Sequence, residues 1–387
     1  MDIDQIRKDT PYCEDKLFLN SAGSSLMPTV VVEKTKEYLE EEQKLGGYKV
    51  KDLREAEINE FYTEAASLIN CEAHNIAFTH DATDAYAKAL SSIDFKPGDK
   101  IVTSNDDYIS NQINFLSFQK RLDVEILRAK NLANGDLDLE HIENLIRDQS
   151  PKLVAITHIP TNSGLVQDVE AVGRICEKYE RTFLVDACQS VGQIPVDVTK
   201  IKCDFLSTTG RKYLRGPRGS GFLFVSDKML KAGSTPLFVD MRGADWTGKD
   251  SYEVQHGARR FETWESPYAL IIGFKEAIKY ANQVGIEAIH QYNTEVIGQL
   301  RENLSAIPEV RMFDKGSTKC NLLTFTKEGK SLKEIENLLT KNRVYYSISE
   351  KSSAQIDFEK KGIEWAIRLS PHYFNTIDEM NRVSEII

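Results

Sequence analysis

The sequence predicts an α/β protein: a large domain with a mainly parallel sheet covered by helices, plus a smaller α+β C-terminal domain. Three observations predict it. Between Asn75 and Val225, short and continuously apolar runs alternate with amphipathic stretches, which is the pattern of strands buried on both faces with helical crossovers. After Pro267 the pattern changes to two longer amphipathic helices and then a mixed unit. Finally, 387 residues of ordinary apolar content can bury one large core and a smaller one.

In order, Leu17 to Pro28 reads as a short apolar strand running into a Gly/Ser turn. A helix is predicted from Thr29 to Gln43, ending at Gly46-Gly47, and another from Lys51 to Leu68. Strands follow at Asn75 to Thr79, Lys100 to Ser104, Val124 to Leu127, Leu153 to His158 and Thr182 to Asp186. The helices between them are placed at Ala82 to Ile93, Asn111 to Lys120, Asp138 to Arg147 and Asp168 to Glu180. Cys203 to Ser207 and Phe222 to Val225 read as two more buried strands, joined by a tight glycine-rich connection. Helices at Ala269 to Val284 and Ile286 to Ala306 come next. The final unit reads as strand Asn321 to Thr326, helix Leu332 to Lys341, strands Val344 to Ile348 and Trp365 to Leu369, and helix Ile377 to Ile386. The expected division is a segment at 1–28 packing near the active site or small domain, a large domain at 29–268 and a small one at 269–387.

The balance of 49 Lys+Arg against 59 Asp+Glu makes the chain acidic, which argues against nucleic acid or an anionic membrane as partner. Neither a signal-peptide core nor an apolar run of membrane-spanning length is present, so a cytoplasmic location is expected. The six cysteines are scattered, without CxxC or His pairing at metal spacing, so no disulfide framework and no metal site is expected.

Chemistry gathers at the predicted strand ends. Asp186 closes an apolar strand, where a charge is costly unless paired. Lys212 sits in the glycine-rich connection Thr208-Thr209-Gly210-Arg211-Lys212, at the end of what would be a neighbouring strand. Thr83 stands near a predicted helix N-terminus, a good place for phosphate. A carboxylate, a lysine and a phosphate cradle in one α/β cleft are the parts a pyridoxal 5'-phosphate site needs: the lysine as Schiff base, the aspartate to keep the pyridine nitrogen protonated. Singly, each part has a plainer reading. A Val-Asp-Ala at a strand end is often structural, and Arg211, Lys212, Arg215 and Arg218 also read as a simple anion patch.

With these residues in view, nearly the whole chain resembles the fold-type I, class V aminotransferases, the group of cysteine desulfurases, selenocysteine lyase and isopenicillin N epimerase-like proteins. Ala82-Thr83 resembles the family's phosphate element, and Asp107-Tyr108-Ile109-Ser110-Asn111 takes the place of a motif whose first histidine stacks on the ring, which implies Tyr108 as the stacking residue. Thr161-Asn162-Ser163-Gly164 resembles the turn whose asparagine contacts cofactor and substrate. Val185-Asp186-Ala187-Cys188-Gln189 implies Asp186 as pyridinium partner and Gln189 as a contact to the ring hydroxyl. Thr209-Gly210-Arg211-Lys212 implies Thr209 on phosphate and Lys212 as the Schiff-base lysine. Arg260-Phe261-Glu262 is similar to a run that precedes a phosphate contact given across a homodimer interface, which points to Ser266 as donor. The run Ile367-Arg368-Leu369-Ser370 implies Arg368 as the clamp on the substrate carboxylate.

Desulfurases of this family carry a nucleophilic cysteine on a late loop, and Tyr345 to Glu364 contains none. On that ground a persulfide-forming desulfurase is disfavoured. The expected activity is a carbon–sulfur lyase: β-elimination from an amino acid with a sulfur-bearing Cβ, a cysteine S-conjugate or cysteine sulfoxide, to pyruvate and ammonia. Transamination or epimerisation is the alternative, and a degenerate binding protein is argued against by the intact Lys212 and Asp186. Arg215 and Arg218 are expected to pair with the acidic surface rather than to select an acidic substrate.

Overall fold

The computed structural model describes all residues from Met1 to Ile387. At its centre lies a seven-stranded sheet in the order Ile76–Thr79, Gly221–Val225, Phe205–Thr209, Thr182–Asp186, Leu153–Thr157, Lys100–Ser104, Glu125–Ala129. Gly221–Val225 runs antiparallel to both neighbours, and the other pairings are parallel. Side chains of the inner strands alternate between two cores. Val154, Ile156, Phe183 and Val185 pack into one, Leu153, Ala155 and Leu184 into the other, so both faces are buried and the strands read as unbroken apolar runs.

This topology positions the site. Parallel strands joined by crossover helices bring their carboxyl ends to one edge, and the register sets Asp186 beside Thr157 on one side and Ser207 on the other. The chain then leaves Phe205–Thr209 through Gly210, where a Cβ would stand 2.4 Å from Ser220 Oγ and 2.9 Å from the Phe274 ring. Only glycine fits that approach, and it delivers Lys212 to the edge next to Asp186.

The second sheet has four antiparallel strands ordered Val310–Met312, Leu323–Lys327, Trp365–Leu369, Ser347–Glu350. Residues of Ile286–Ser305, Leu332–Lys341 and Ile377–Ile386 share its core. Helix Tyr268–Val284 packs on Thr29–Leu45 and Glu55–Ile69. No helix is long and apolar enough to cross a membrane.

Four local readings change. The helix expected over Lys51 to Leu68 is two, Gly47–Leu53 and Glu55–Ile69, parted at Arg54, whose guanidinium holds Glu37, Glu41 and Glu57. The strand expected over Val344 to Ile348 also divides: Val344–Tyr345 pairs with Leu17–Phe18, while Ser347–Glu350 joins the four-stranded sheet. An exposed hairpin, Ala244–Gly248 with Ser251–Val254, has no buried face and so left no apolar periodicity to read. Arg215, expected at the surface, is wholly buried. Its guanidinium bonds Leu26 O and Thr10 Oγ1 and stacks at 4.9 Å on both the Tyr373 and Phe374 rings, tying the N-terminal segment to the Lys212 turn.

Candidate active site

A cavity of about 330 Å³ opens at the carboxyl edge of the large sheet, and its wall includes Asp81, Thr83, Tyr108, Asp186, Thr209 and Lys212. Five residues singled out in the sequence are thereby brought together. Asp186 is buried, and its two oxygens accept hydrogen bonds from Asn111 Nδ2 at 2.9 Å and from the Cys188 N–H at 3.0 Å. Burial pushes its pKa up, opposed by those two bonds and by the nearby Lys212 charge. No cation is bonded to it. A buried carboxylate held in place by neutral donors awaits a positive group, and a protonated pyridine nitrogen is one.

Lys212 is buried too, with its Nζ 3.5 Å from Cys188 Sγ and 5.7 Å from the centre of the Tyr108 ring. Tyr108 caps helix Ile109–Leu122. Thr83 lies in the first turn of helix Ala82–Ser91, whose cap Asp81 accepts the Asp84 N–H at 2.9 Å. The N-terminus of that helix faces the cavity with its unsatisfied N–H groups and positive dipole end, beside Thr209 and Arg218, and so suits a phosphate.

Arg368 comes from strand Trp365–Leu369 of the smaller sheet and is buried. Its Nε has no acceptor and no carboxylate lies against it. Burial pushes its pKa down to about 10, with Tyr213 opposing and Arg211 reinforcing the fall. A buried guanidinium without a counter-ion is costly unless an anion arrives, and a substrate carboxylate matches its bidentate geometry.

Four of the expected site residues stand outside that wall, Arg368 among them. Asn162 lines an adjoining cavity, and its carbonyl accepts Thr324 Oγ1 at 2.9 Å and Lys361 Nζ at 2.7 Å. Gln189 lies behind the wall, giving Nε2 to Ala22 O at 3.1 Å and leaving its buried Oε1 without a partner. Ser266 donates to Thr263 O at 3.0 Å in the loop before Tyr268–Val284, and within one chain it does not reach the cavity.

Several contributions were not legible. Asn111 stood in a quoted motif, but its bond to Asp186 depends on how helix Ile109–Leu122 crosses the sheet. Arg211 donates to Gly23 O and its own carbonyl accepts the Ser25 N–H at 2.8 Å, so residues 20–25 close over the lysine turn. The only sequence signal for that contact was the Gly/Ser turn itself. Arg218, expected to pair with the acidic surface, lines the cavity.

The residues present fit pyridoxal 5'-phosphate: a held carboxylate for the ring nitrogen, a lysine for the aldehyde, a helix terminus for the phosphate and an uncompensated cation for the substrate. Comparison with known proteins agrees. The chain is 27% identical to a probable cysteine desulfurase of Methanothermobacter thermautotrophicus, over all of this chain and 98% of that protein. It is 26% identical to a probable cysteine desulfurase of Pyrococcus abyssi, over 97% of this chain and 94% of that one. The apo structure of a cysteine desulfurase from Thermococcus onnurineus superposes with a TM-score of 0.91 at 24% identity, covering 99% of this chain and 96% of that one. These relatives correct the expected activity. S-conjugate elimination to pyruvate, with transamination or epimerisation as alternative, rested on setting desulfurases aside, yet full-length relatives carry that name. The class V aminotransferase model matches residues 17–383, so the chain belongs to the class V aminotransferase family and its cofactor is pyridoxal 5'-phosphate.

Proposed function

We propose that the protein removes sulfur from L-cysteine, leaving alanine, as a cysteine desulfurase acting on a carbon–sulfur bond. One observation carries this: two buried charges of opposite sign lack a bonded counter-ion, Asp186 within the field of Lys212 and Arg368 near Arg211 and Tyr108. They suit an amino acid held by its carboxylate beside a ring held by its nitrogen. The names of the relatives supply the sulfur substrate.

When bound, the cofactor draws electron density away from the substrate's α-carbon. Arg368 orients the substrate by its carboxylate, and Asp186 keeps the ring nitrogen charged. Lys212, once the substrate amine displaces it, moves the Cα proton. Tyr108 would lie against the ring and Thr83 and Thr209 would hold the phosphate, while Gln189 and Asn162, outside the cavity wall, would supply the remaining contacts to ring and substrate. Ser266 would reach the phosphate of a second copy if the working unit is the homodimer that the family resemblance implies.

The test is product analysis of L-cysteine turnover in excess dithiothreitol. Alanine with an equal amount of sulfide supports the reading. Pyruvate and ammonia in place of alanine overturn it.

A further inference from the structure

The active-site cavity does not stand alone. A second cavity of about 330 Å³ adjoins it, with Tyr108 on the wall of both. Ile113, Leu116 and Ile356 give this antechamber an apolar side, and residues 352–357 form its outer wall. That wall belongs to the segment Tyr345 to Glu364, which contains no cysteine. Ser352 and Ser353 of that segment line the cavity.

The other cysteines do not replace it. Cys13, Cys176, Cys203 and Cys320 are buried, and neither Cys71 nor any of these four lines either cavity. Cys188 lines the active-site cavity, but it packs on Lys212, and burial pushes its thiol up to about 11, so it stays protonated at neutral pH. If the substrate's carbon ends as alanine, its sulfur passes to a nucleophile that enters.

The antechamber's chemistry restricts what enters. Arg128 is its one cation: one nitrogen donates to Gln112 Oε1 at 2.7 Å, while its buried Nε has no acceptor. The carboxylates on the same wall are already bonded. Asp106 is held by Lys315 and Asn131, Asp357 by Lys315 and Lys361, and Asp107 by Asn111, Gln112, Thr103 and Thr157. The guanidinium therefore keeps bonding capacity for an incoming anion.

We propose that the sulfur acceptor is an external, small thiol bearing a carboxylate, bound in this antechamber with its carboxylate on Arg128 and its sulfur toward Tyr108. This rests on the desulfurase reading above. The acceptor's thiolate attacks the substrate's sulfur; an S–S bond forms as the Cβ–S bond breaks, and the electron pair of that bond passes to carbon, which takes up a proton. Cysteine and R–SH become alanine and R–S–SH, so carbon is reduced as sulfur is oxidised and no other reactant is needed.

The experiment supplies L-cysteine with either 3-mercaptopropionate or 2-mercaptoethanol, follows alanine, and reads the protein by mass spectrometry for sulfur added to a cysteine. The expected result is alanine rising with added thiol, persulfide on that thiol, and none on the protein. The acidic thiol should be preferred in kcat/KM by about tenfold, the worth of one charge-assisted hydrogen bond, with the preference lost in Arg128→Leu. The comparison of thiols on the unaltered enzyme stands if that variant does not fold. Alanine formed once per chain without thiol, with the sulfur retained on a protein cysteine, overturns the external acceptor and leaves the desulfurase reading intact. Equal use of the two thiols overturns the Arg128 assignment. No alanine with either thiol overturns the desulfurase reading and this inference with it.

Discussion

Two groups of buried charge lie on either side of Tyr108 and Asn162, and they are built differently. On the antechamber side, Lys315 bridges Asp106 and Asp357, and Lys361 bonds Asp357 at 2.6 Å and the Asn162 carbonyl at 2.7 Å. Within this cluster every charge has a partner, and it joins residues of the large sheet's edge to helix Gln355–Lys361; Arg128, on the same wall but outside the cluster, has no counter-ion. On the active-site side, Asp186 is held by neutral donors, Lys212 touches a thiol and an aromatic ring, and Arg368 has no counter-ion. Removing charges from water without pairing them costs stability. The contrast teaches that pairing marks scaffold here, and its absence marks groups held for molecules that come and go.

That difference can be broken or sharpened by substitution. The largest effect is expected for Lys212→Ala, a loss of about 10³-fold or more in alanine formation from cysteine, since no neighbouring base can replace its proton transfer. Its circular dichroism should match the parent protein. Next, Asp357→Asn strips a partner from Lys361 and Lys315, and a fall of about 3 kcal/mol in denaturant-measured stability is expected. A smaller effect comes from Arg368→Leu: KM for cysteine rises by roughly tenfold to a hundredfold, the worth of a charged hydrogen-bonded contact, while stability of the cofactor-free protein does not fall. Loss of stability equal to that of Asp357→Asn would place Arg368 with the scaffold.

The inner strands were legible because burial on both faces leaves no polar position to blur them, and Lys100–Ser104, Thr182–Asp186 and Trp365–Leu369 lie where the apolar runs begin and end. Thr83, Tyr108, Asp186, Thr209 and Lys212 were legible as motifs at strand ends and meet in one cavity. What escaped depends on contacts distant in sequence. Arg215 reads as surface by charge and is buried by the aromatic rings of Tyr373 and Phe374. Asn111 and Arg211 act through partners 75 and 188 positions away. The expected activity failed because one absent cysteine was made to set desulfurases aside, while relatives matching the full chain carry that name.

Asp186→Asn tests the distinction between held and paired charge most directly, by unfolding of the cofactor-free protein across pH. The folded-state pKa of Asp186 is raised. Its carboxyl therefore detracts nothing below the ordinary carboxylate value near pH 4 and costs stability as pH rises through the raised value. The asparagine variant should match the parent protein's stability below about pH 4, exceed it at pH 7, and gain less from added pyridoxal 5'-phosphate. A variant less stable than the parent at pH 7, as Asp357→Asn is expected to be, would show that Asp186 is part of the scaffold and contradict its assignment to the cofactor.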